Sequence, residues 1–437
     1  MPIIPSVTRG VGDDDIGQWF SLLLADAGCQ LEWMPVGQSA EWSVQDGVIA
    51  HRSKGFFTVV GLRWTSPAGR QVEQPFLDQQ EIGTLGFVMR IEEGRRQLLV
   101  QAKFEPGNVG LIQLAPTCQA TRSNIQRLHG GNSPPFVEYF PEESNALYDI
   151  QQSEQGTRFL RKRNRNVLVA ASVESSIPVT HRWMEVDFVL DLMARDFLVN
   201  TDARSVLVCS PWQQLVSRAP FSRYSDGFSS ELLLSMRSPS VHRSLAEVRE
   251  QVQRLRSITE PPEIIGLDEL SGWEWTPEGL SAEDGFLRVR HIRVAVTGRE
   301  VPAWDQPIID SVSDGMVLLV CARIDGVLHF LFRLGTEAGL YSRVELTATE
   351  VVEPGDPYDD VRMRWSGTVV AQCRQSEEGG RFYRDTNTYR IVDIGAAGET
   401  EPDCCWLTLH DIRQLLDEPG WLTNEARSVL SLLLPWL

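Results

Sequence analysis

QPFLDQQEIGTLGFVMRIEEG, from Gln74 to Gly94, and QPIIDSVSDGMVLLVCARIDG, from Gln306 to Gly326, decide the fold of this 437-residue chain, because they are one segment written twice. Both run on to a Glu-x-Gly, at Glu105-Pro106-Gly107 and at Glu337-Ala338-Gly339. Two more matches keep the same order: EWMPVG from Glu32 to Gly37 against EWTPEG from Glu274 to Gly279, and TDARSVL from Thr201 to Leu207 against NEARSVL from Asn424 to Leu430. The last is closed in each copy by a Pro-Trp pair, Pro211-Trp212 and Pro435-Trp436. Matches in one order point to an internal repeat rather than to shared composition. The chain also exceeds what one ordinary hydrophobic core holds. The reading is a tandem duplication, with copy one over 1–225 and copy two over 226–437.

Each copy reads as α+β: a helix, a long stretch of strands, then a helical end. Leu85 to Arg90 and Gln97 to Ala102 are apolar, β-rich runs around Glu92-Glu93-Gly94, and Met316 to Ile324 and Val327 to Arg333 repeat them around Asp325-Gly326, a strong hairpin signal. Helical spacing is expected over Asp15 to Ala27, over Trp183 to Leu198 with Val186, Val189, Leu190 and Met193 on one face, and over Leu407 to Leu416. Ser244 to Ile258 reads as an amphipathic helix beside the linker between the copies.

A net charge of −18 repels polyanions, which argues against nucleic-acid or anionic-membrane partners. A few cations facing a pocket still suit a small anion. Lysine occurs only at Lys54, Lys103 and Lys162, so arginine supplies most positive charge, and its planar fork suits phosphate. No run of about 18 apolar residues and no leader-like start occurs, so a cytoplasmic protein is expected. The seven cysteines show no CxxC spacing, which favours reduced thiols without zinc.

The copies differ in their polar residues. Copy one carries QAKFEPGN (101–108), QLAPTCQATRSN (113–124), His129-Gly130-Gly131-Asn132 and the basic run SEQGTRFLRKRNRN (153–166). Copy two keeps the opening of that last run, Ser376 to Arg384, and then turns to Asp385-Thr386-Asn387.

QAKFEPGNVGLIQLAPTCQATRSN, HGGNSPPFVEYF and SEQGTRFLRKRNRN resemble the signature stretches of the nucleotide-diphospho-hexose 2,3-dehydratases of deoxysugar biosynthesis, and the resemblance spans essentially the whole chain, duplication included. Departures are Ala115, Cys118 and Ile125 where serine, valine and tyrosine are expected; the last puts one contact at Ile125 in question. The resemblance implies that each copy is a Nudix-like α/β/α sandwich with mixed β-sheets and that the protein is a homodimer. Neither copy contains the glutamate-rich Nudix box that holds divalent metal, so no metal and no cofactor are expected and diphosphate hydrolysis is disfavoured.

The implied substrate is dTDP-4-keto-6-deoxyglucose, losing its C2 hydroxyl to give a 3,4-diketo-2,6-dideoxy sugar for a downstream 3-ketoreductase. That chemistry needs a base for the C3 proton, an acid for the departing hydroxyl and donors for the enolate oxygen. His129 leads as base or acid because an imidazole titrates near neutrality; a loop histidine satisfied by backbone is the competing reading. Glu105, Glu138, Tyr139 and Tyr148 are alternatives. Lys103, Thr121, Arg122, Ser123, Asn124 and Ser153 are expected among the substrate ligands, and Arg158, Arg161 and Arg165 on the diphosphate. Trp33, Trp64, Trp275 and Trp304 could stack on thymine or sugar, although core packing is the commoner fate of tryptophan. In copy two, Arg343, Thr347, Thr349 and Arg381 could line a second pocket. A non-catalytic nucleotide-sugar binding protein remains the alternative of a different class.

Overall fold

The computed structural model describes residues 11–127, 132–142, 145–297, 301–312, 314–353 and 364–437. The duplicated segments form the same structure twice. In copy one a seven-stranded mixed sheet runs in the order Tyr148–Ser153, Arg163–Ala170, Gly83–Glu92, Arg95–Phe104, His181–Glu185, with Ile112–Ala115 and Cys118–Ala120 added. In copy two Thr368–Ser376, Thr386–Ala396, Gly315–Ile324 and Val327–Thr336 repeat that order, with Val344–Thr347, Glu350–Val352 and Cys404–Leu407 completing the seven. The central pairing is parallel in both, Asn164 lying opposite Gly83 and Asn387 opposite Gly315. Asp325 and Gly326 both take positive φ, at 51° and 78°, which an Asp-Gly turn accommodates and β-branched residues do not.

Each copy adds a smaller sheet, and here the copies exchange strands. Copy one's sheet of Trp42–Gln45, Val48–His51, Thr58–Thr65 and Gln71–Asp78 takes Glu263–Ile265 from copy two onto Thr58–Thr65. Reciprocally, copy one's Gln30–Trp33 pairs with Leu287–Ala295 of copy two. Phe159–Leu160 and Phe382–Tyr383 add parallel to Gln71–Asp78 and Ala303–Ser311, and the Phe159 and Phe382 rings meet edge-on at 5.4 Å. The Gly107 amide donates to the Gly379 carbonyl at 2.8 Å, and the Gly339 amide to the Gly156 carbonyl at 2.8 Å. Neither glycine tolerates a side chain: a Cβ would lie 1.7 Å from the Phe382 carbonyl oxygen at Gly107 and 1.9 Å from that of Phe159 at Gly339.

Helices Thr201–Cys209 and Asn424–Leu430 pack on each other at the centre of the molecule, and each buries an arginine completely. Arg204 donates to the carbonyls of Val199 at 3.1 Å and Met193 at 3.0 Å. Arg427 donates to those of Leu422 at 2.6 Å and Ser153 at 2.5 Å. Buried charge survives there because each fork is spent on main-chain oxygens, a hydroxyl and, for Arg204, the Cys373 thiol at 3.5 Å.

Three expectations need correction. His181–Glu185 is a strand pairing with Arg95–Phe104, so the helix expected from Trp183 begins only at Val186; sheet hydrogen bonding outweighs helical spacing at Trp183 and Met184. Leu407 likewise closes the strand Cys404–Leu407, and the helix is Leu409–Leu416. The Glu32–Gly37 and Glu274–Gly279 match is out of register: Trp273–Thr276 forms a hairpin with Gly279–Ala282, the place taken in copy one by Trp42–Gln45 and Val48–His51, whereas Gln30–Trp33 corresponds to Glu263–Ile265. The helices Val11–Ala27 and Leu245–Ile258 agree with expectation, the second opened by a capping box between Ser244 and Glu247. No helix among the described residues is long and apolar enough to cross a membrane.

Candidate active site

A cavity of about 700 Å³ lies where copy one's two sheets meet the exchanged elements of copy two. Gly83, Leu85, Lys103, Gln119, Lys162, Asn164 and Asp202 reach it from the large sheet and the first turn of helix Thr201–Cys209. Trp42, His51, Phe56 and Phe57 come from the small sheet. Copy two supplies Arg293, Trp304, Asp305 and Gln306 from paired strands, and Glu378, Gly380 and Arg381 from the loop that the Gly107–Gly379 contact holds in place.

One side of this cavity is aromatic. The Trp42 indole donates to the Asp305 carbonyl at 2.8 Å and that of Trp304 to Gln306 at 3.1 Å, so both rings are fixed before any ligand arrives. Asp305 also accepts from Ser39 at 2.6 Å and contacts buried His291 Nε2 at 2.6 Å. Arg381 sits 4.3 Å over Phe57 and donates to Gln79 at 3.1 Å; among the described residues no carboxylate ion-pairs with it. Thr121 and Asn124 line the cavity at the start of the short helix Arg122–Ile125, where Thr121 is the N-cap.

The floor holds titratable groups in a dry setting. Lys162 is 4% exposed and donates to the Glu81 carbonyl at 2.5 Å. Burial pushes its amine below the usual lysine range, while Glu378, Glu154 and Glu81 pull the other way. Asp202, 3% exposed, is held well above the ordinary carboxylate range, first by burial and then by Glu154, Glu378 and Glu105. Burial raises Glu378 too, and its Oε2 is enclosed without a hydrogen-bond partner. Glu154, pushed up to about 7, is fully engaged by Asn164 at 2.7 Å and Asn424 at 3.0 Å. Glu105 is engaged by Gln119 at 3.0 Å and Asn108 at 3.2 Å.

The corresponding place in copy two is nearly closed, with about 20 Å³ of space. Arg158 and Glu353 ion-pair across it at 2.6 Å. The registers set Asp385 where Lys162 stands, Glu353 where Thr121 stands, Val351 for Gln119 and Gly335 for Lys103. A carboxylate and a glycine thus replace the two lysines.

Of the residues expected from the sequence, Glu105, Lys103, Thr121, Asn124, Trp304 and Arg381 line the large cavity together. His129 lies outside the described residues. Tyr148 is not on the cavity wall: its hydroxyl is buried in the core and donates to the Leu416 carbonyl at 2.6 Å. Glu138 is exposed, and the Tyr139 hydroxyl reaches the Ser172 carbonyl. Arg122 is exposed, Ile125 packs in an apolar cluster, and Ser123 is tied to Glu81 at 2.7 Å.

The basic run does not act as one patch, because a positive φ at Arg161 and the two-residue period of the following strand send its members apart. Arg158 closes the small pocket, Arg161 is exposed, Arg163 stacks on Tyr341 at 3.8 Å, and Arg165 pairs with Asp149 at 2.7 Å. Ser153 donates to Glu345 at 2.5 Å between the copies. Trp33 lies under Arg290 at 3.6 Å, Trp64 packs on Phe76 at 5.8 Å and Trp275 is 42% exposed. Arg343 donates to the Thr259 carbonyl at 2.7 Å; Thr347 accepts from Thr423 at 3.1 Å; Thr349 bridges Val320 and Leu331.

Residues missed by sequence reasoning are Trp42, His51, Phe56, Phe57, Asp202 and Glu378 as members of this wall, and Lys162 as anything but part of a basic run. The scarcity of lysine was a signal for Lys162. None marked the others, because strand exchange brings them together.

A duplicated α+β chain with an open, aromatic-walled cavity, a guanidinium that no carboxylate among the described residues ion-pairs and a dry floor of amine and carboxyl groups has the form of an enzyme that moves protons on a ring-bearing anionic substrate. Comparison with known proteins is more specific. The NDP-hexose 2,3-dehydratase model matches residues 13–210 and again 246–433, and the chain belongs to that family. It is 32% identical over 438 residues to a protein of Saccharopolyspora spinosa, covering 94% of this chain and 89% of that one. With a protein of Amycolatopsis orientalis the identity is 31%, covering 96% and 89%. With a protein of Streptomyces violaceoruber it is 32%, covering 88% of each. All three bear the name dTDP-4-dehydro-6-deoxy-alpha-D-glucopyranose 2,3-dehydratase.

Proposed function

We propose that this chain removes the C2 hydroxyl of dTDP-4-keto-6-deoxyglucose, the 4-dehydro sugar nucleotide in its relatives' names, and that it does so in the large cavity of copy one. The observation that carries this reading is the joining in one cavity of an aromatic wall, an arginine without a carboxylate ion-pair partner among the described residues and a floor of buried lysine and carboxyl groups. Thymine stacks between Trp42 and Trp304, the diphosphate lies toward Arg381, Thr121 and Asn124, and the keto sugar faces the floor.

The C4 ketone acidifies the C3 proton, so base removal gives an enolate whose collapse expels the C2 hydroxyl as water. The enol left behind tautomerises to the 3,4-diketone. Lys103 and Gln119 steady the enolate oxygen in this scheme. No metal or cofactor takes part in this scheme, consistent with the missing metal-binding box in both copies. Each copy is a Nudix-like sandwich in this reading, and the protein works as a cytoplasmic homodimer that passes its unstable diketone to a 3-ketoreductase.

The test is incubation with dTDP-4-keto-6-deoxyglucose in EDTA, with an NADPH-dependent 3-ketoreductase as trap and mass spectrometry as readout. A nucleotide sugar lighter by one water supports the proposal. Bound but unchanged substrate favours a binding protein, and sugar phosphate that forms only after Mg²⁺ is restored favours a diphosphatase.

A further inference from the structure

Lysine is scarce in this chain, and its distribution is informative. The sequence has three lysines, and two of them, Lys103 and Lys162, line the large cavity. Everywhere else except Lys54 the chain uses arginine, including at fully buried positions such as Arg204 and Arg427. Arginine stays protonated under essentially all conditions, whereas a lysine amine can give up its proton when buried. Copy two, whose pocket is closed, has Gly335 and Asp385 at the two positions. Two of the three lysines therefore stand where a titratable amine could be used.

Lys162 is the better placed of the two for proton transfer. It immediately precedes the strand Arg163–Ala170, with its stem buried and one N–H on the Glu81 carbonyl. The charged groups that face it are Glu81, Glu154, Glu378 and Arg381, and of these Glu154 is already saturated by two asparagine amides. Asp202 meets the same cavity from the first turn of helix Thr201–Cys209, and among the described residues it forms no ion pair.

We propose that Lys162 is the base that takes the C3 proton and that Asp202 is the acid that protonates the departing C2 hydroxyl. This assignment rests on the function proposed above. The C3–H bond breaks onto Lys162 Nζ, and its electron pair forms the enolate. The C2–O bond then breaks as the Asp202 carboxyl delivers a proton, releasing water and leaving a C2=C3 enol. In tautomerisation the Lys162 ammonium returns its proton to C2 and the enol proton passes to the Asp202 carboxylate. Both groups regain their starting states, with the net loss of one water.

The experiment compares wild type, Lys162→Met, Lys162→Arg and Asp202→Asn for dTDP binding by calorimetry, trapped dehydration, and exchange of the C3 hydrogen in D₂O followed by NMR. Wild-type turnover with the keto sugar nucleotide tests the function itself; the variants then test the assignment. Both Lys162 variants should bind dTDP within a few-fold of wild type while losing dehydration and C3 exchange by about 10³-fold, in the range for an acid–base group. Lys162→Arg is decisive, because it sets a permanent cation at the position, which would serve a purely electrostatic role, and removes the base. Asp202→Asn should lose dehydration about 10²-fold and keep C3 exchange. Should a Lys162 substitution unfold the chain, methylamine added to Lys162→Ala should restore turnover if the amine is the base. Dehydration by Lys162→Arg within tenfold of wild type overturns the assignment. So does a borohydride-trapped adduct at Lys162, which would make it an imine-forming nucleophile.

Discussion

Gly107→Ala perturbs the joint through which copy two completes the cavity of copy one. The new methyl would sit 1.7 Å from the Phe382 carbonyl oxygen and 2.8 Å from that of Gly379. Non-bonded heavy atoms rest at roughly 3.5 Å, so the strands must part by about 1.5 Å or more. Two main-chain bonds then fail, from Gly107 to Gly379 and from Arg384 to Gly107, each 2.8 Å long. At about 1 kcal/mol per bond, plus about 1–3 kcal/mol for the strain of overpacking, the loss of stability is about 3–5 kcal/mol.

Activity should suffer more. The displaced loop carries Glu378, Gly380 and Arg381 to the cavity, and Gly107 itself follows Glu105 and Pro106 on its wall. A misplacement of about 1 Å costs on the order of 10²-fold in rate. Gly339→Ala is the matched control, since it breaks the equivalent bonds, Gly339 to Gly156 at 2.8 Å and Arg161 to Gly339 at 2.6 Å, on the side of the closed pocket. Urea unfolding should rank the two alike in stability, while dTDP binding, which draws on the Arg381 loop displaced in Gly107→Ala, should weaken by about tenfold in that variant and stay within a few-fold of wild type in Gly339→Ala. Equal loss of dTDP affinity in both variants would refute the claim that the nucleotide lies in copy one's cavity.

Trp42→Ala and Trp304→Ala should each raise the Kd for dTDP by about 10- to 100-fold, the usual scale of base–aromatic stacking, read by calorimetry. Arg427→Met leaves the Leu422 and Ser153 carbonyls buried without a donor and should lower unfolding free energy by about 3–5 kcal/mol in urea. Stability should also fall as pH rises. Burial pushes Glu377 up to about 8, Glu154 to about 7 and Asp385 to about 6. Each binds its proton more tightly folded than unfolded, where the value is near 4, so the stability they add is full below about pH 4 and is lost progressively toward pH 8. Urea midpoints from pH 5 to 9 should show this decline, and Glu377→Gln should flatten it; an unchanged slope in that variant would contradict the assignment.

The duplication was legible because strands that pair within a copy lie close in sequence: two apolar runs around Glu93-Gly94 and again around Asp325-Gly326 announce their own partners. The exchange of Gln30–Trp33 and Glu263–Ile265 was not, because nothing in a short strand names a partner some two hundred residues away. That loss carries over to the cavity, whose tryptophans and loop Glu378–Arg381 converge only through exchange. The residues beside Lys103 were readable as a polar cluster, since they follow strands of the same sheet. The basic run misled for a local reason: one left-handed residue at Arg161 and a strand's alternation turn a patch in sequence into separate contacts in space. Tyr148 misled because a tyrosine's hydroxyl is as readily spent on a core carbonyl as on a substrate.

The most direct test of the account is a crystal structure of the protein with dTDP. The thymine should lie between Trp42 and Trp304, the diphosphate at Arg381, and the terminal phosphate should open toward Lys162 and Asp202. Nucleotide seated elsewhere, with the 700 Å³ cavity left empty, would contradict it.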